Sequence, residues 1–202
     1  MNKHTTESKK YFYLTLIYFL FSLPANSQHT AAKRSSGKFE NNLQAGVLIG
    51  QKGSKPALNV HVINGLKFDT WFTGIGVGID YYGLKRSIPL LVDIKKDFSA
   101  KTNTCYLFAD AGYNFPWLMD NQKPQYSNYY KAMGGLYYET GLGYKFRIFK
   151  TSHIGFSAGY SFKQVKEKYA QPCVRCENYV PPVELYNFMY RRLSVKFNWW
   201  MQ

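Results

Sequence analysis

Two small motifs and one long series of side chains in this sequence could carry chemistry. The motifs are His153 with Ser157, and Cys173-x-x-Cys176. The series is a set of carboxylates, ammoniums and guanidiniums recurring at alternate positions along several segments. Acyl transfer needs serine and imidazole within hydrogen-bond reach. On a strand, four residues span ~13 Å at ~3.3 Å each, so His153 cannot activate Ser157. His4, His29 and His61 read as ordinary polar positions, and an enzyme is not expected. A zinc site would want two ligands beyond the cysteine pair, and none stands nearby. A redox-active CxxC usually opens a helix, whereas this one lies between Pro172 and Pro181-Pro182. In an exported chain the spacing reads as a small-loop disulfide. Cys105 is left over, in phase with Leu107 and Ala109. No catalytic residue, metal or cofactor is expected.

The charged series is more informative because of where its members fall. From Trp71 to Tyr82, Ile75, Val77, Ile79 and Tyr81 alternate with Gly74, Gly76, Gly78 and Asp80. That is period 2, the spacing of a strand with two unlike faces. The polar face is mostly glycine with a carboxylate, and aromatics stand at both ends. Eleven steps of ~3.3 Å at a tilt of ~45° span ~26 Å, which matches an apolar band of ~25 Å. The same face on later segments carries Asp93, Lys95, Asp97, Asp110, Glu139, Lys145, Arg147, Lys163, Arg192 and Lys196, with His61 nearby. Ten glycines share it: Gly46, Gly50, Gly74, Gly76, Gly78, Gly112, Gly141, Gly143, Gly155 and Gly159. Unpaired buried charge is very costly, so these residues are expected to form a lumen network of ion pairs. Glycine on one strand then makes room for a long side chain from another. Eight strands enclose a space just wide enough for side chains to fill, so an open pore is disfavoured.

The elements that would position this face follow one another without a convincing helix. Strand patterns run around Leu43–Ile49, Leu58–Phe68, Trp71–Tyr82, Leu90–Phe98, Leu107–Asn114, Tyr138–Ile148, Ile154–Lys163 and Arg192–Trp199. Asn64 is a misfit on its apolar face. The second, fourth and sixth connections are short turns, and the two long ones are the fifth (Pro116–Met133) and the seventh, which holds the cysteine pair. Long loops at one end and short turns at the other are what an up-and-down barrel in an outer membrane shows. The Tyr-rich fifth connection, with Trp117, Tyr126, Tyr129, Tyr130, Lys123 and Lys131, could serve as a binding surface or as packing.

Composition agrees. The chain has 202 residues and a formal net charge of +14, with 18 Tyr, 15 Phe and 16 Gly, which suits an all-β protein. Lys3, Lys9 and Lys10 precede an apolar run from Tyr11 to Leu23, then Pro24 and Ala25-Asn26-Ser27. Basic, apolar and small-residue regions in that order read as a secretory signal peptide over 1–27. Residues 28–42 form a polar lead-in, expected to be flexible, and 43–202 the barrel domain. Removing 1–27 takes away three Lys and one Glu and leaves 23 basic and 11 acidic residues. An exported chain without a long basic run does not point to nucleic acid. The charge reads as lumen and loop residues, with anionic lipopolysaccharide a candidate contact.

By strand number, alternation, connection parity and leader, the region Leu43 to Trp200 resembles the outer-membrane β-barrel domain family, the small eight-stranded OmpA/OmpX-type barrels of Gram-negative bacteria. The resemblance implies an eight-stranded antiparallel transmembrane barrel in the bacterial outer membrane. It further implies a monomer among outer-membrane lipids, with long loops facing an unknown protein or surface ligand. One departure is that Trp199-Trp200 are followed by Met201-Gln202, where such barrels usually end on an aromatic. The alternative is a secreted or periplasmic lipocalin-like barrel holding a small apolar ligand, which would turn its large apolar residues inward.

Overall fold

The computed structural model describes residues 37–51, 54–82, 85–117, 130–170 and 183–202. The leader, most of the lead-in, Cys173 and Cys176 lie outside them. Nine strands occur among the described residues: β1 (Lys38–Ile49), β2 (Ala57–Phe68), β3 (Trp71–Tyr81), β4 (Arg86–Asp97), β5 (Thr104–Trp117), β6 (Tyr130–Met133), β7 (Gly135–Phe149), β8 (Ser152–Ala170) and β9 (Val183–Met201). Eight of them form a closed antiparallel ring, β1-β2-β3-β4-β5-β7-β8-β9, in which β9 returns to pair with β1. The seam runs in unbroken register from Asn41↔Met201 to Ile49↔Leu193. β9 therefore extends to the penultimate residue, and Gln202 bonds Thr151 through its backbone N–H at 3.0 Å.

Burial follows period 2 on all eight ring strands, with the usual sense of a soluble protein reversed. On β3, Ile75 is 66% exposed whereas Asp80 is fully buried. The outward belt is apolar: Val60 and Val62, Ile75 and Val77, Val92 and Ile94, Leu142, Phe156, Leu193 and Val195 all face out. Aromatics bound it at both ends. Phe68, Trp71, Phe98, Phe149 and Trp199 stand near the short turns, and Tyr81, Tyr113, Phe115, Trp117 and Tyr138 toward the other end. Cations sit over these rims, with Lys96 Nζ 4.5 Å from the Trp71 ring and Arg86 between Tyr81 and Trp117. Such pairs suit a level where an apolar slab meets water. Asn64 is exposed on the belt opposite Asn41, its partner in register.

The interior is filled. Two apolar clusters plug it, Ile63 with Phe72, Leu91 and Tyr137, and Tyr106 with Phe108 and Trp200. Glycine clearance operates directly across strands. An added methyl at Gly143 would lie 2.3 Å from the ring of Tyr106, its register partner. At Gly78 it would lie 2.0 Å from the ring of His61, also its partner.

Three boundaries differ from the sequence reading. β1 begins at Lys38, inside the expected lead-in, because Glu40 and Asn42 already point into the lumen. β8 and β9 continue past the ring as a ribbon, pairing out to Ala170↔Val183. Residues 183–189 are exposed on both faces, so no apolar alternation could mark them. β6 lies within the expected fifth loop. It takes over from β7 along the edge of β8, with Tyr137↔Lys163 followed by Met133↔Lys166, a slip of one residue at Gly134. An added methyl at Gly134 would stand 2.1 Å from the Asn114 carbonyl oxygen, so only glycine allows this bulge.

Candidate functional site

Alternation turns one face of every ring strand into the lumen, and the charged residues gather there in three tiers. At the long-loop end Asp80 (β3) pairs with Lys163 (β8). It also faces His61 Nε2 at 3.4 Å and the Ser87 hydroxyl at 3.4 Å. Arg192 (β9) donates to the backbone carbonyls of Leu48 at 3.2 Å and Lys55 at 2.8 Å, and stacks 5.0 Å from the Tyr82 ring. Arg192 thus staples β9 to β1 and its following loop rather than meeting a carboxylate.

The middle tier is a row of three carboxylates on adjacent strands, Asp93↔Asp110↔Glu139 in register across β4, β5 and β7. Lys196 reaches Glu139 at 2.6 Å and the Gln44 amide oxygen at 3.2 Å. Ser194 donates to Glu139 at 2.7 Å, and the Tyr137 hydroxyl does so at 3.0 Å. Lys95 pairs with Asp93 and donates to the Asn42 amide oxygen at 3.1 Å. Asp110 is the outlier. It is buried, neither oxygen takes a hydrogen bond, and its nearest ammonium is Lys196 at 3.7 Å. At the short-turn end one oxygen of Asp97 accepts from both Lys67 (2.7 Å) and Lys145 (2.5 Å).

Ten of the expected network residues therefore line the lumen: Asp80, Asp93, Lys95, Asp97, Asp110, Glu139, Lys145, Lys163, Arg192 and Lys196 are all buried. Arg147 is a correction. It is exposed, because the pairing of β7 with β8 shifts between Arg147 and Phe149 and carries the strand end past the barrel rim. Sequence reasoning missed Lys67, Gln44, Asn42 and Ser194, which complete the bonds. It also missed the aromatic half of the network. Lys163 lies 4.8 Å from the Tyr137 ring, Lys95 4.9 Å from Phe72 and Lys196 5.6 Å from Phe108. Parity was the available signal, since each of these shares its strand's inward register.

His153 and Ser157 share no hydrogen bond; the Ser157 hydroxyl accepts instead from the Asn198 amide at 2.9 Å. Cys105 faces outward, exposed and free. Among the described residues no group of three or more His, Cys, Asp or Glu is placed to hold a metal ion. Chemically, the arrangement is a set of ion pairs and hydrogen bonds that leaves Asp110 without a hydrogen bond.

No family model matches the chain, and no curated protein matches it. Solved structures do. The crystal structure of the outer-membrane protein OprG from Pseudomonas aeruginosa superposes with a TM-score of 0.55 at 11% identity, covering 84% of this chain and 98% of that one. The crystal structure of Neisserial surface protein A has a TM-score of 0.49 at 11% identity, over 81% of this chain and 94% of that one. The solid-state NMR structure of the outer-membrane protein AlkL in lipid bilayers has a TM-score of 0.48 at 10% identity, over 89% and 97%. With OprG the chain shares the fold of a small outer-membrane β-barrel.

Proposed function

We propose that this protein is an exported outer-membrane barrel of structural or surface-interaction type, without catalytic activity, which presents long loops on a lipid-embedded scaffold. The observation that carries this reading is the reversed burial: an apolar belt outside, flanked by aromatic rims, around a lumen of ion pairs. A belt of that kind is stable only where its surroundings are as apolar as it is. The basic-apolar-small order of residues 1–27 supports export by a cleaved signal peptide. Short turns then face the periplasm and long connections the cell exterior. The scaffold acts as a monomer among outer-membrane lipids, with lipopolysaccharide against its upper rim and a protein or surface ligand at the loops. Cys173 and Cys176 trim the seventh connection as a disulfide.

The test is membrane fractionation followed by electrophoresis with and without boiling. The expected result is recovery in the outer-membrane fraction with a heat-dependent mobility shift. Recovery wholly in the soluble periplasm overturns the reading.

A further inference from the structure

The short-turn end of the barrel holds a feature that the ion-pair network leaves over. A cavity of about 370 Å³ opens there, walled by Lys38, Lys67, Lys101, Lys145 and Arg147. Two carboxylates share the wall, Asp69 and Asp97. Glu40 stands beside them and accepts from the wall residue Gln202 at 2.9 Å, so five cations face three carboxylates and an excess of two positive charges remains. The excess is real at the level of contacts. Lys67 and Lys145 share one oxygen of Asp97, and among the described residues Asp97 is the one carboxylate within ion-pair distance of either. Lys38, Lys101 and Arg147 form no ion pair among the described residues. Elsewhere in the lumen most carboxylates have a matching cation. Here cations from β1, β2, the β4–β5 turn and β7 converge on one concavity whose floor, Lys145 and Asp97, is buried.

We propose that this cavity is a binding site for a small polyanion bearing two or more carboxylate or phosphate groups. Low-dielectric walls focus the field of clustered like charges into the space between them, so an anion there is attracted to several cations at once. A second anion would also relieve the repulsion between Lys67 and Lys145. The cavity's volume lies in the range of small-ligand sites and suits several oxyanion groups. Lys101, on the turn, and Arg147, at the exposed strand end, form the outer rim, and Arg147 can take an oxyanion in bidentate fashion. Two sources share this chemistry, a soluble polycarboxylate and a soluble polyphosphate.

The test uses the mature protein in maltoside micelles at low salt, titrated in separate arms with pyrophosphate and with citrate. Binding is followed by calorimetry and by amide shifts in two-dimensional NMR. The expected result is one saturable site whose shifts centre on residues 98–103 and 145–151. The double variant Lys101→Glu/Arg147→Glu, checked for its heat-dependent mobility shift, should weaken binding roughly tenfold or more, the equivalent of one 1.4 kcal/mol step. Preference for pyrophosphate assigns the phosphate source, and preference for citrate the carboxylate one. Arg191→Glu, at the opposite end, should leave affinity unchanged. Absence of saturable binding in both arms overturns the site, as does unchanged affinity in the double variant or an equal loss from Arg191→Glu. Because the site is probed in micelles, its failure would leave the outer-membrane reading standing.

Discussion

Lys196 and Asp110 show how charge is managed residue by residue in this lumen. Lys196 serves Glu139 directly and Asp110 at 3.7 Å, so its loss strands two buried carboxylates. Lys196→Ala should destabilise the barrel by about 3–5 kcal/mol, as breaking a buried pair does. Asp110 stands between Asp93 and Glu139 and accepts no hydrogen bond, so Asp110→Asn should be neutral or stabilising. Equilibrium urea unfolding in lipid vesicles reads both, and a large loss from Asp110→Asn would contradict this account. Steric fit is tested at Gly143. Gly143→Val drives a side chain into the Tyr106 ring and should cost about 1–3 kcal/mol, the usual range for overpacking. Adding Tyr106→Leu should recover part of that loss in a double-mutant cycle. The charged residues were legible in the sequence because alternation with glycine marks a face. Their hydrogen-bond partners were less so, since Asn42, Gln44 and Ser194 are polar residues that a turn or a surface would also carry.

At the scale of elements, every ring strand was readable from period 2, and what escaped lies where period 2 has no apolar face to show. Gln164 to Lys168 is polar and charged except for Val165, yet it is strand because β9 pairs along one edge and β6 along the other. β6 itself is four residues held by that edge. The ribbon above the ring is an addition to a barrel complete without it, since β8 and β9 remain paired down to Ser152↔Met201. Replacing residues 168–185 with an Asn-Gly turn, a good two-residue hairpin connection, should therefore leave the heat-dependent mobility shift intact. It should change unfolding stability by no more than about 1 kcal/mol, as for other exposed segments. Loss of the shift would mean that the ribbon helps the ring to form.

For the whole molecule, the belt makes a depth-dependent prediction. Ile75 lies near the middle of β3 and faces out, so Ile75→Arg should cost about 2–4 kcal/mol in a bilayer, the range for a cation at the midplane. The same substitution at Phe98, beside a short turn, should cost about 0–1 kcal/mol, as for an interfacial position. Equal costs at both sites would remove the slab from the account. The filled lumen predicts no steady single-channel conductance in planar bilayers, since Tyr106, Tyr137 and Trp200 close the interior. Overall architecture was legible in the sequence through strand number and connection parity. The basic cavity was not, because Lys38 and Lys67 meet across the β1–β2 pair but join Lys101 and Lys145 only when the sheet curls into a ring.

That closure has a consequence for how the chain must be made. Every ring contact but one joins strands that are near neighbours along the chain, whereas the seam joins Asn41 to Met201. Closing a flexible loop costs about 0.6 kcal/mol more for each doubling of its length. Going from a hairpin of some twenty residues to the full ring is about three doublings, roughly 2 kcal/mol that the seam bonds must outweigh. More important is order, because the seam's second edge is the last strand of the ring along the chain. Until β9 is paired, β1 and β8 each present a long unpaired edge, the kind of template that invites pairing between chains. A chain stopped before Val183 would be a nearly finished barrel with two adhesive borders, so its fate is aggregation rather than partial function.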